Sequence, residues 1–245
     1  MSAPIQTSDE SQVLLHQLKG SFTSIYLTVL SIVQGVTLAT LATVVADNYP
    51  RFTAVQWALV VLTFCILVII WHHMTTDAMT WVWIPDVRDS VIPFLLGAFE
   101  LYQTQAIVLG LGPWLFGMVA GAVLAVLEFF HVGSRVPLEE ENGFLLEHFR
   151  TRRRPDMLQG IVGIGLFVGL GAVSVFIVGA KGAVLPDATV VRAAFPWIAV
   201  LLTSLWLGCY LIRTTLYWRV IAALARGGRL PASTPLSRLV GLPWG

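Results

Sequence analysis

The chain has 245 residues, 56% of them apolar and only 12% charged, with a formal net charge of +1. A water-soluble domain carries about 25% charged residues, so the composition excludes an ordinary soluble fold. The small net charge gives no electrostatic footprint for a nucleic acid, and none is expected as a partner. The two cysteines, Cys65 and Cys209, fall inside apolar segments and form no CxxC pair, so redox or metal motifs of that kind are excluded.

Six apolar segments follow one another, roughly 22–46, 54–71, 90–107, 113–130, 158–180 and 194–216. Each approaches the ~20 residues that cross ~30 Å of hydrocarbon at 1.5 Å per residue. Backbone groups find no water there, so the spans must be helices. The expected fold is all-α: a polytopic membrane protein with six transmembrane helices in one bundle. Lys19, Arg88, Arg135, Arg150, Arg152–154, Arg213, Arg219, Arg226, Arg229 and Arg238 fall on one side, and only Arg51, Lys181 and Arg192 on the other, a split of 12 to 3. Basic residues resist translocation, so both termini are expected in the cytoplasm. The expected location is a cell membrane, of the bacterial inner-membrane type, crossed several times. The first segment follows about twenty polar residues and is too long for a signal peptide. Residues 1–226 read as the transmembrane domain, with a cytoplasmic loop at 131–157, and 227–245 as a Pro/Gly-rich cytoplasmic tail.

In the first span Ser24, Thr28, Ser31 and Gly35 fall within about 60° on a helical wheel, with Gln34 at the border. Thr37, Thr40 and Thr43 continue the hydroxyls on a rotated face. Such residues let helices approach closely, the commoner use, or let water line a pore. The second span ends at Trp71-His72-His73, followed by Thr76 and Asp77. His73 and Asp77 share a helix face, and a metal site is conceivable. Adjacent histidines diverge by about 100°, however, and no third ligand is supplied locally. His131, three residues after Glu128 in the fourth span, could reach the same level. The expectation is no metal and no cofactor, with His72, His73 and Asp77 as an interfacial brace or a pH-sensing group. Trp81, Trp83, Pro85 and Asp86 read as an interfacial belt and turn.

The third span is richest in polar groups. Asp89, Pro93, Glu100 and Thr104 fall within about 60° of one another, flanked by Gly97 and Gln103. An intramembrane carboxylate is costly and marks a place where function is sought. Glu100 and Thr104 therefore either line a cavity or ion path, or serve packing with Glu100 protonated or paired to a buried donor. Gly117-x-x-x-Gly121, extended by Ala125, and Gly165-x-x-x-Gly169 read as helix-packing seams. In the 131–157 insert, Glu139–Glu141 precede Arg152–Arg154. A solvated loop with basic anchors is expected, against a helical hairpin or an ion-pair network. Hydrolase elbows, HExxH and phosphate-cradling glycine loops are absent from the sequence, so an enzyme is not expected.

The stretch Phe64-Cys65-Ile66-Leu67-Val68-Ile69-Ile70-Trp71-His72-His73, followed about twenty residues later by Pro93-Phe94, resembles the second and third helices of the transmembrane-protein-175-like potassium channels. The resemblance covers about forty residues. It implies a six-span bundle with cytoplasmic termini, assembled as a homo-oligomer around its first helix. The family's first helix carries an Arg and a Phe-Ser-Asp-Gly motif, where this chain has Leu30-Ser31-Ile32-Val33-Gln34-Gly35. Carried over, the resemblance makes Thr28, Ser31, Gln34 and Leu38 pore-lining and has His72 and His73 brace the first helix. Two expectations of different class follow. One is a homo-oligomeric, potassium-like cation channel lined by the first helix. The other is a non-conducting membrane scaffold or regulatory subunit of a larger complex, working through residues 131–157 and the tail.

Overall fold

The apolar segments fold as helices, and each stops where the sequence supplies a cap or a break. A computed structural model describes residues 7–82, 84–179 and 188–225. It contains α1 (Thr7–Asn48), α2 (Ala54–Thr80), α3 (Val87–Leu109), α4 (Leu111–Arg135), α5 (Leu146–Gly179) and α6 (Ala188–Ala225). All six are long and apolar enough to cross a membrane, the architecture of a multi-pass membrane protein. Trp83, Lys181, Arg226, Arg229, Arg238 and the 227–245 tail lie outside the described residues.

Local chemistry sets the boundaries. Pro50 ends α1 in a short 3-10 turn, Tyr49–Arg51. Thr53 then opens α2 with a capping box, its side chain accepting from the Gln56 amide while Gln56 accepts from the Thr53 amide at 3.0 Å. Asp86 and Asp89 cap α3 in the same reciprocal way. Gly110, at φ 102°, both ends α3 and begins α4. Its left-handed backbone allows the two helices to turn back on one another without a connecting loop.

Helix α1 packs on α2 and α3, α3 on α4, α4 on α5, and α2 on α6. Lipid tails are as apolar as Leu, so close packing and buried polar bonds, rather than hydrophobic exclusion, hold such a bundle together. Trp114, fully buried, donates from Nε1 to Thr63 Oγ1 at 2.9 Å. Gln103, equally buried, donates to the Trp114 carbonyl at 3.2 Å. The Gly117/Gly121 seam is used as expected: a Cβ on Gly121 would stand 2.4 Å from the Phe99 ring. The Gly165/Gly169 seam is not used within the chain, for neither position has an atom within 4 Å of where a Cβ would lie. Gly160 and Gly163 take that role on α5, against Val126 and Trp206.

Two boundaries differ from expectation. Helix α2 runs nine residues past Trp71, because 72–80 holds no Pro or Gly and its polar side chains find partners inside the bundle. The 131–157 insert is built of helix ends and 3-10 turns rather than irregular loop. Within it α4 continues to Arg135, two 3-10 turns follow (Val136–Leu138 and Glu140–Leu145), and α5 begins at Leu146. Asn142, 2% exposed, fastens it by accepting from the Val82 amide at 3.0 Å and donating to the Val82 and Val136 carbonyls. Two of its charges turn to the bundle, Glu139 pairing with Lys19 at 2.7 Å and Arg153 donating to the Gly133 carbonyl, while Glu140, Arg150 and Arg154 are exposed.

Candidate functional site

The outward face of α1 is unlike that of its neighbours. Ser21, Ser24, Thr28, Ser31, Gly35, Ala39, Ala42 and Ala46 occupy one sector about 80° wide at 100° per residue. All eight are exposed, and none is larger than Thr. Outside this sector the outward faces carry apolar bulk, such as Ile25, Ile32 and Val36 on α1 itself, Phe64 and Val68 on α2, Phe116 and Phe130 on α4, or Leu201 and Leu205 on α6. Thr28 donates its hydroxyl proton to the Ser24 carbonyl and Ser31 to that of Leu27, both at 2.8 Å. A hydroxyl whose proton is committed to the backbone presents only lone pairs outward. Leu38, 39% exposed, sits at the edge of the sector. On its α3 flank a groove of about 610 Å³ is lined by Thr40, Thr43, Asp47, Asn48 and Gln105.

Gln34 does not join this face. It is 7% exposed and turned inward, where its amide donates to Glu100 Oε1 at 2.5 Å. The Thr37 hydroxyl is shared between the Val33 carbonyl at 2.9 Å and the other Glu100 oxygen at 3.2 Å, and the Thr104 hydroxyl closes on the Glu100 carbonyl at 2.9 Å. Glu100 and Thr104 are fully buried. The α3 polar stripe therefore exists as the wheel implies, but it faces packed protein. Of the two readings open for Glu100, the geometry is that of a carboxylate held by donors from α1, which clamps α1 on α3 and turns the small-residue sector outward.

Of the second-span histidines, His72 is half-buried and His73 is enclosed by protein. His73 is 5% exposed and lies edge-on to Phe129 of α4 and Tyr210 of α6. Its Nε2 stands 3.3 Å from Asp77 Oδ2 and 3.4 Å from Glu128 Oε2. The third member absent from the local sequence is thus supplied by α4, and it is Glu128 rather than His131. His72 packs against Trp218 of α6. The same turn of α2 meets α1 through Met74, near the Tyr26 hydroxyl, and through Ala78, whose carbonyl accepts from Thr23. His131 belongs to a second cluster, with its Nε2 2.8 Å from Asp89 Oδ1 and Asp86 held by Arg135 beside it.

Sequence reasoning placed Arg213 among the cytoplasmic charges and passed over Asp156. In the fold α6 carries Arg213 into the bundle, 8% exposed, where it binds Asp156, Gln159 at 2.5 Å and the Pro155 carbonyl at 3.0 Å. The available signal was that an arginine inside an apolar helix demands a carboxylate, and Asp156 opens the apolar part of α5. A cavity of about 90 Å³ lies between this pair and the first histidine cluster, with His73, Glu128, Asp156 and Gln159 at its polar edge. No protein-family description, no curated protein and no solved structure matches this chain.

Proposed function

We propose that the protein is a homo-oligomeric cation channel of the cell membrane, in which the small-residue sector of α1 from several copies surrounds the conduction path. The observation that carries this reading is that sector: eight small or hydroxylated positions face outward from the protomer. Against lipid such a face forfeits contact, whereas against other copies it permits close approach. The back-bonded hydroxyls of Thr28 and Ser31 offer lone pairs, which suit a cation and repel an anion. Asp47 adds a negative charge at the α3-side groove. The end bearing Lys19, Arg88, Arg135 and Arg219 faces the cytoplasm, which puts both termini there. The reading agrees with what the resemblance to the transmembrane-protein-175-like channels implies for the first helix. It moves Gln34 from the path to the clamp on Glu100.

The scaffold reading is less favoured because the 131–157 segment is fastened to its own bundle through Asn142. The test is K⁺ and Na⁺ flux into liposomes together with native mass of the reconstituted protein. Gly35→Leu and Ser31→Leu should abolish flux and dissociate or distort the oligomer. Gln34→Leu should lower stability by about 1–3 kcal/mol, by depriving the Glu100 carboxylate of a donor. An oligomer that forms through α1 yet passes no cation would make the protein a scaffold.

A further inference from the structure

We infer that His73, Asp77 and Glu128 form a binding site for one first-row divalent cation of the Zn²⁺, Fe²⁺ or Mn²⁺ class, inside each protomer and apart from the α1 path. The three side chains are 5%, 6% and 5% exposed, and one ligand atom from each lies within 4.8 Å of the others. Spacing is the first argument. A protonated imidazole bonded to a carboxylate stands about 2.7–2.9 Å from it, as His131 does from Asp89 at 2.8 Å. His73 Nε2 is instead 3.3 Å from one carboxylate oxygen and 3.4 Å from the other. Ligands about 2.0–2.1 Å from a tetrahedral Zn²⁺ lie about 3.3–3.4 Å apart, the edge of that tetrahedron.

Charge is the second argument. Two carboxylates converge on one imidazole in a low-dielectric interior, where like charges resist ionising together. Arg213, the buried cation of α6, is committed to Asp156, Gln159 and the Pro155 carbonyl. A divalent ion balances Asp77 and Glu128 without protonating either. One nitrogen and two oxygens fit Zn²⁺, Fe²⁺ or Mn²⁺; an all-oxygen set would suit Mg²⁺ or Ca²⁺, and thiolates Cu⁺.

Room is the third argument. His73 and Glu128 line the cavity of about 90 Å³, space for a few waters at about 30 Å³ each. A fourth coordination position has room on the cavity side, where a water bound to the metal would complete the set.

The experiment is a Co²⁺ titration of chelator-stripped full-length protein in nanodiscs, read by visible d–d bands and by competition with Zn²⁺. One saturable Co²⁺ per chain is expected. Glu128→Gln and His73→Gln, checked for helicity and for a single oligomer size, should weaken binding at least about a hundredfold. Asp89→Asn, in the other cluster, should bind as wild type. Should either ligand variant fail to fold, wild-type protein loaded with Mn²⁺ still decides the matter. Pulsed electron paramagnetic resonance should find one imidazole nitrogen coupled to the ion. No saturable binding of Co²⁺, Zn²⁺ or Mn²⁺ by the folded protein, undiminished binding in both ligand variants, or a nitrogen count other than one overturns the assignment.

Discussion

Two histidine–carboxylate clusters lie toward the same end of this bundle, made of the same residue types on neighbouring helices. In the cluster of Asp86, Asp89 and His131 the carboxylates already have backbone duties. Asp89 accepts from the Asp86 amide at 2.6 Å, Asp86 from the Arg88 amide at 2.7 Å, and Arg135 and His131 close the remaining sides. That cluster is a helix cap extended into an ion-pair network. In the cluster of His73, Asp77 and Glu128 the groups come from the middle and end of long helices, where main-chain amides are spent within the helix. His73 Nε2 stands 3.3 and 3.4 Å from its two carboxylates, against 2.8 Å for the His131–Asp89 bond. Residue type alone does not distinguish a cap from a site; what the backbone leaves available does.

The largest effect tests the flank of the His73 cluster. Arg213→Met removes the buried partner of Asp156, and leaving a buried charge uncompensated costs about 3–5 kcal/mol. Thermal unfolding in detergent should show that loss, and added Zn²⁺ should stabilise the variant as it does wild type. The next contrast sets the clusters against each other in chelator. Asp89→Asn breaks charge-assisted bonds at a helix cap and should cost about 1.5–3 kcal/mol. Glu128→Gln relieves the approach of two carboxylates and should cost less, or stabilise. Equal losses from both substitutions in metal-free protein would erase the distinction between the clusters.

The six spans and the polar stripe of α3 were legible in the sequence because helical periodicity and hydrocarbon thickness constrain them directly. The outward sector of α1 was partly legible: Ser24, Thr28, Ser31 and Gly35 mark its first turns, and Ala39, Ala42 and Ala46 complete it. Gln34 was misplaced because a wheel gives an azimuth and not a partner. Its position at the border was settled by Glu100, sixty-six residues away. His73 was read as interfacial because hydropathy falls after Trp71; what the sequence did not give is its enclosure by Phe129 and Tyr210. The Glu128 contact and the Arg213–Asp156 pair join α4 to α2 and α6 to α5. Such pairings depend on the order in which helices pack, which local pattern does not encode.

The smallest effect separates the clusters by their surroundings. Gly121 walls the cavity beside His73, and a methyl there would meet the Phe99 ring at 2.4 Å. Phe99 is itself 7% exposed in the main core, so the ring has little freedom to retreat. Gly121→Ala should therefore destabilise by about 1–3 kcal/mol, as overpacking does, and should narrow the cavity enough to weaken metal binding. Gly133, two residues after His131, would present its methyl 2.3 Å from Arg153 Nε. That obstacle is a flexible side chain, and moving it sacrifices its bond to the Gly133 carbonyl and its position over the Phe130 ring. The gain of about 1 kcal/mol in helix propensity for Ala over Gly offsets much of that loss. Gly133→Ala should then leave stability within about 0.5 kcal/mol of wild type and metal affinity unchanged. A loss there as large as at Gly121 would mean that the His131 side of the bundle is as rigidly packed as the cavity wall, and that the two clusters differ in chemistry alone.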